Sequence, residues 1–238
     1  MALRRSFAPS LMLLCSSALL SAWAMAQAPA YDLIIRGGTI YDGSGKPPVT
    51  GDVAIKDDRI VAVGKVDGTA KTEVVAKGMA VAPGFINMLS WATESLIADP
   101  KSQSDIRQGV TLEVMGEGWS MGPMNATMKA LETERQGDIK YPIEWTSLGD
   151  YLGWLEKRGI STNIASFIGA ATVRVHELGE GDVDPTPEQL TRMRTLVKQA
   201  MNEGAMGVGS SIIYAPGSYA ETDELVALTT EAAKCGGM

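Results

Sequence analysis

The chain has 238 residues, with 21 Lys and Arg against 28 Asp and Glu and a formal charge of −7. Its densest positive stretch, Arg192 with Arg194 and Lys198, is diluted over a helical face, so neither nucleic acid nor an anionic membrane surface is a suitable partner. His176 is the only histidine, which excludes a multi-histidine metal site built from this chain, whatever its fold.

Residues 1–26 combine Arg4 and Arg5, an apolar run from Leu11 to Leu20, and the small-x-small site Ala24-Met25-Ala26. This pattern predicts a secretory signal peptide cut after Ala26 and a periplasmic or secreted product. The apolar run is broken by serines and is short for a bilayer span of roughly 20 residues. No later stretch of the sequence is long and apolar enough to insert, so no membrane insertion is expected after cleavage. Cleavage removes Cys15 and leaves Cys235, so no internal disulfide is expected despite the oxidising compartment.

Residues 27–80 read as a small β domain. Tyr31–Arg36 is a strand, Gly37-Gly38 turns the chain, and Thr39–Tyr41 resumes. Gly51–Lys56 and Arg59–Val63 flank an Asp57-Asp58 hairpin turn, and Glu73–Ala76 is a last strand. Short strands with frequent glycine turns predict a sandwich or half-barrel.

From residue 81 to 238 strand and helix alternate. Strands are predicted at Val81–Ile86, Thr111–Met115, Ile164–Ile168 and Ala205–Val208. Helical text ends near Gln108, runs from Tyr151 to Arg158, and returns after Thr186-Pro187-Glu188-Gln189, where an N-cap, a proline at the first helical position and a reaching Gln open a helix through Met201. Its apolar face, Leu190, Met193, Leu196 and Val197, is the packing face against a sheet. A last helix is predicted over Thr222–Lys234, capped by Thr222.

Strict succession implies parallel βαβ units, either closing as a barrel or left as an open doubly wound sheet. A closed eight-unit barrel takes roughly 250 residues, so residues 81–238 hold about half of one. A half-barrel exposes strand edges and uncovered helix faces, and the expectation is a truncated or fragmentary product that is unstable alone.

The candidate site lies at the strand ends. Ala82-Pro83-Gly84-Phe85-Ile86-Asn87-Met88-Leu89-Ser90-Trp91 resembles the strand of N-acyl-D-amino-acid deacylases (D-aminoacylases) of the amidohydrolase superfamily, which ends in Asp-x-His-x-His. Gly109–Pro123, with Gly116-Glu117-Gly118, Asn163–Arg174, and Gly204–Ala220, with Tyr214 and Pro216-Gly217, are similar to later segments of that family. The resemblance covers Tyr31 to Met238. It implies a partial (β/α)8 TIM-like barrel of α/β class after a small sandwich-like domain. It also implies hydrolysis of carbon–nitrogen bonds other than peptide bonds, by metal-activated water in a complete relative, with a small N-acylated amino acid or related amide as substrate.

In this chain Asn87, Leu89 and Trp91 stand where the family has Asp, His and His, and Ala170 stands for a further His. The resemblance leaves Glu117 as a metal ligand and Arg174, Ser210 and Tyr214 as substrate-binding residues. Zinc is implied for a complete relative, at most one ion here. No residue is singled out as catalytic; His176 without a companion base is read as a surface or loop residue, and Glu113 as a register or salt-bridge residue. A serine mechanism is a poor fit, because no Gly-x-Ser-x-Gly elbow is present. The competing reading is an inactive pseudoenzyme, or a binding module whose Leu89, Trp91 and Trp119 form an apolar pocket.

Overall fold

The structure, a computed structural model, describes residues 29–238, and the predicted signal peptide lies outside the described residues. Contacts divide the chain into two compact units, one ending at Ala82 and one running Pro83–Met238.

The first unit is one five-stranded mixed sheet. Strands β1 (Tyr31–Ile40), β2 (Val49–Lys56), β3 (Arg59–Gly64), β4 (Ala70–Val75) and β5 (Ala80–Val81) take the order β3-β2-β1-β4, with β5 also on β1. Where the sequence predicts two strands parted by Gly37-Gly38, β1 is continuous. Its pairing with β2 slips between Ile35 and Gly38 with Gly37 at φ 68°, so the glycines make a bulge rather than a turn. Arg36 ties the sheet together by donating to Asp52 at 3.0 Å, to Glu73 at 3.0 Å and to the Val66 carbonyl at 2.8 Å. The core is small: Ile34, Ala54 and Val66.

The second unit begins with β6 (Phe85–Asn87), α1 (Ser95–Ala98), α2 (Gln103–Ile106), β7 (Val110–Met115), α3 (Ala126–Arg135), α4 (Leu148–Arg158) and β8 (Asn163–Ser166). It continues through β9 (Ile168–Gly169), α5 (Ala170–Leu178), α6 (Pro187–Asn202), β10 (Val208–Gly209) and α7 (Thr222–Lys234). β6, β7 and β8 form a parallel ladder, β9 pairs in parallel with β10, and the Met206 amide bonds the Ser166 carbonyl at 2.9 Å across the join. The chain thus lays down parallel staves in sequence order with helices between them, an open part of a (β/α)8-type barrel.

Several sequence expectations are corrected. The predicted strand Val81–Ile86 is two strands, because Pro83 has no N–H to donate and Ala82–Gly84 leave the ladder. The third predicted strand, Ile164–Ile168, is broken at Phe167, whose amide bonds the Met115 carbonyl, and an unpredicted helix, α5, follows at Ala170. Its β-branched Thr172, Val173 and Val175 disguise it at the level of propensity. Helix α4 starts at Leu148 rather than Tyr151, set by a capping box between Ser147 and Asp150. The cap of α7 is Glu221, and Thr222 is its first helical residue. The Thr186–Gln189 capping box and Pro187 at the start of α6 are as predicted. α3, capped by Asn125, carries too weak an apolar face to announce itself.

The core of this unit lies between the staves and the helices. Trp145, Tyr151, Leu155, Ile168, Met193, Val197 and Leu228 are buried there. Trp145 stacks on Tyr141 with ring centroids 6.0 Å apart and donates its indole N–H to the Met121 carbonyl at 2.6 Å. Among the described residues, no helix is long and apolar enough to cross a membrane.

Candidate functional site at the strand mouths

Parallel pairing puts the C-terminal ends of β6, β7, β8 and β10 on one side of the sheet, the side on which barrel enzymes carry their chemistry. The segment after β7, Gly116-Glu117-Gly118, is wedged among its neighbours. A Cβ on Gly116 would collide with the Phe167 carbonyl and one on Gly118 with Ser211, so both positions need glycine for the backbones to approach. Gly116 also sits at φ 88°. Glu117 lies on this closely packed loop, half-buried, and lines a small cavity of about 60 Å³ with Ser90, Trp91, Thr93, Gly116, Trp119 and Met121.

The other predicted residues do not share that cavity. Ser210 is exposed immediately after β10, and Tyr214 is exposed in the following loop, its amide bonded to the Ser211 carbonyl at 3.3 Å. Arg174, in α5, is 1% exposed. Its guanidinium donates to Glu224 Oε2 at 2.5 Å and to the Val183 carbonyl, tying α5 to α7 and to the loop before α6. Burial pushes the Glu224 carboxyl above its ordinary range, and the facing Arg174 pulls only partly against that. Sequence reading missed this pair because Glu224 stands 50 positions away, on another helix.

The single histidine lies in α5, half-buried, with Nδ1 3.3 Å from Glu177 Oε1. It borders a separate cavity of about 400 Å³ with Asn125, Met128 and Glu180, and shares no lining with Glu117.

Asn87 donates to Glu113 Oε2 at 3.1 Å, and its own Oδ1 accepts from the Leu89 amide at 3.3 Å. Glu113 is wholly buried and, among the described residues, its Oε1 has no hydrogen-bond partner and its Oε2 is bonded by Asn87 rather than by a cation, so it is not the salt-bridge residue that its place in the strand suggests. An aspartate at 87 would set two carboxylates against each other here; the amide turns that contact into a hydrogen bond.

Leu89 and Trp91 are exposed and Ala170 is buried in the core, and none of the three carries a ligating atom. Among the described residues, no three His, Cys, Asp or Glu side chains converge to hold a metal ion. A catalytic zinc takes three protein ligands, so the residues present do not fit one. Larger cavities lie away from the mouths. One of about 580 Å³ is bordered by Gly149, Leu152, Glu156, Asn163 and Glu203, beside the starting end of β8. Sequence reading also missed Ser90 and Thr93 as lining residues; the one signal was that Ser90 separates the two departures Leu89 and Trp91.

No known family profile matches the chain. It is 32% identical over 212 residues to a D-aminoacylase of Alcaligenes xylosoxydans xylosoxydans, an alignment that takes in 87% of this chain and 43% of that protein. It is 31% identical to an N-acyl-D-glutamate deacylase of the same organism, over 87% of this chain and 42% of the relative. Among solved structures, a D-aminoacylase superposes with a TM-score of 0.75 at 28% identity, covering 87% of this chain and 44% of that one. An N-acyl-D-glutamate deacylase from Bordetella bronchiseptica, complexed with zinc and a phosphonate mimic of the tetrahedral intermediate, gives 0.75 at 28% identity, over 86% and 43%. Over most of its own length, and less than half of theirs, the chain is a homologue of the D-aminoacylase-type amidohydrolases.

Proposed function

We infer that the chain forms part of a C–N hydrolase of the deacylase type, acting on a small N-acylated D-amino acid or a related amide. The observation that carries this reading is the superposition, at 28% identity over 86% of the chain, on a deacylase bound to a mimic of its tetrahedral intermediate. In this reading Ser210 and Tyr214, exposed beyond β10, offer hydrogen bonds to the acyl amide, and Glu117 contributes a carboxylate at the neighbouring mouth. Anchoring a substrate carboxylate through Arg174 requires its pair with Glu224 to open, which would leave a buried charge uncompensated. The zinc implied for a complete relative has to draw at least part of its ligand set from outside the described residues.

The test is release of free amino acid from N-acetyl-D-amino acids by the product of the whole reading frame, with the L-enantiomers as controls and with zinc added or withheld. D-selective release is the expected result. Binding of the D-substrates without release favours the second reading, an inactive binding module, which Leu89 and Trp91 at the two His positions specifically support. Export to the periplasm or beyond rests on the N-terminal pattern; intact-mass measurement of the secreted product should place its first residue at Gln27.

A further inference from the structure

We propose that the cavity beside Glu117 is a binding site for the ammonium head of a small organic cation, a primary alkylammonium. The cavity's lining residues include two tryptophans, Trp91 and Trp119, one acid, Glu117, a methionine, Met121, and two hydroxyl residues, Ser90 and Thr93. Among the described residues, Glu117 is the only charged one lining it and no Lys, Arg or His does, so the lining leaves the counter-charge to the ligand. Indole faces carry negative quadrupole density and attract a desolvated cation. A carboxylate in the same lining supplies charge, and hydroxyl oxygens can accept further N–H bonds. A primary ammonium has three donors to distribute over these acceptors.

Size narrows the class. A water molecule needs roughly 10–15 Å³ of such space, so a cavity of about 60 Å³ admits a head of a few heavy atoms, with its alkyl chain directed outward. A quaternary head is bulkier and has no N–H to give. The charged wall also departs from an apolar pocket built on Leu89: Leu89 does not line this cavity and Glu117 does. The formal charge of −7 favours cationic over anionic ligands at long range. The backbone on either side of Glu117 is packed against Phe167 and Ser211, which fixes where its side chain starts and lowers the ordering cost of binding.

The site goes beyond the hydrolytic reading and does not rest on it, because the measurement is binding. The full chain, labelled with ¹⁵N at its tryptophan indoles, is titrated with n-butylammonium, 1-butanol, butyrate and tetramethylammonium. Saturable shifts are expected for butylammonium at the Trp91 and Trp119 signals, identified by single substitution, with weaker binding of tetramethylammonium and none of butyrate. Glu117→Gln should weaken butylammonium binding about ten-fold, the size of one charged hydrogen bond, and Trp91→Ala should weaken it several-fold. Trp91 is 62% exposed, so this second variant keeps its fold and carries the test if the first is unstable. Equal binding of 1-butanol, unchanged affinity in both variants, or shifts centred on Trp145 or Trp154 would overturn the proposal.

Discussion

Two faces of the second unit, built on the same staves, behave differently. Between staves and helices, Trp145, Tyr151, Leu155, Met193, Val197 and Leu228 are exposed by no more than 2%, whereas at the mouths Leu89 and Trp91 stand 50% and 62% exposed. The likeness to the deacylases runs over most of the chain, and at the mouth Leu89 and Trp91 stand where the resemblance implies histidines. Close packing constrains volume and pattern, while the mouth is constrained only by the chemistry it serves. The lesson is that a shared scaffold transfers the stave order and the position of a site, and leaves the site's chemistry to be argued residue by residue.

Substitutions can break that contrast in graded steps. Trp145→Ala removes a wholly packed indole and its hydrogen bond to Met121, and should cost about 3–5 kcal/mol, read as a lowered denaturant midpoint. Arg174→Ala leaves Glu224 buried and unpaired and should also cost about 3–5 kcal/mol, whereas replacing both by apolar residues of similar volume should restore most of it. A double substitution as damaging as the single would show that the pair does more than cancel its own charges.

A smaller, pH-dependent effect belongs to Glu224. Burial, opposed by Arg174, raises its folded-state carboxyl above the ordinary value of 4.5, so the native state holds the proton more tightly than the unfolded state. Its stabilising contribution is complete below the ordinary value and is lost as pH rises through the raised one. The other shifted carboxyls, such as the raised Glu132 and the lowered Asp52, are common to both proteins, so the denaturation midpoint of the native chain should fall relative to that of Glu224→Gln as pH rises above the ordinary value. The smallest stability effect is predicted for Glu117→Gln, within about 0.5 kcal/mol, despite its effect on ligand binding. A large destabilisation there would make Glu117 a structural residue and erase the contrast between mouth and core.

Much of this was legible beforehand where local chemistry and tertiary need agree. The Thr186-Pro187-Gln189 start of α6 and the Asp57-Asp58 turn are local signals, and each forms as read. Met193 and Val197 of the predicted helical face are wholly buried. Legibility failed where tertiary pairing decides. Gly37-Gly38 has the composition of a turn and becomes a bulge because β2 continues alongside. Ala170–Leu178 has strand-like residues and becomes α5 because the ladder ends at Gly169. At the site, the losses at Leu89, Trp91 and Ala170 could be read directly from residue identity. The Arg174–Glu224 pair and the enclosure of Glu117 by Ser90, Trp91, Thr93 and Trp119 join distant segments, and a single sequence carries no signal for such meetings.

The central claim is that this chain keeps the deacylase scaffold without a zinc-holding mouth of its own. Elemental analysis of the purified chain, loaded with zinc and desalted, tests it most directly. The account predicts no stoichiometric zinc retained, with the same result in Glu117→Ala. One zinc ion per chain, lost on Glu117→Ala, would contradict it.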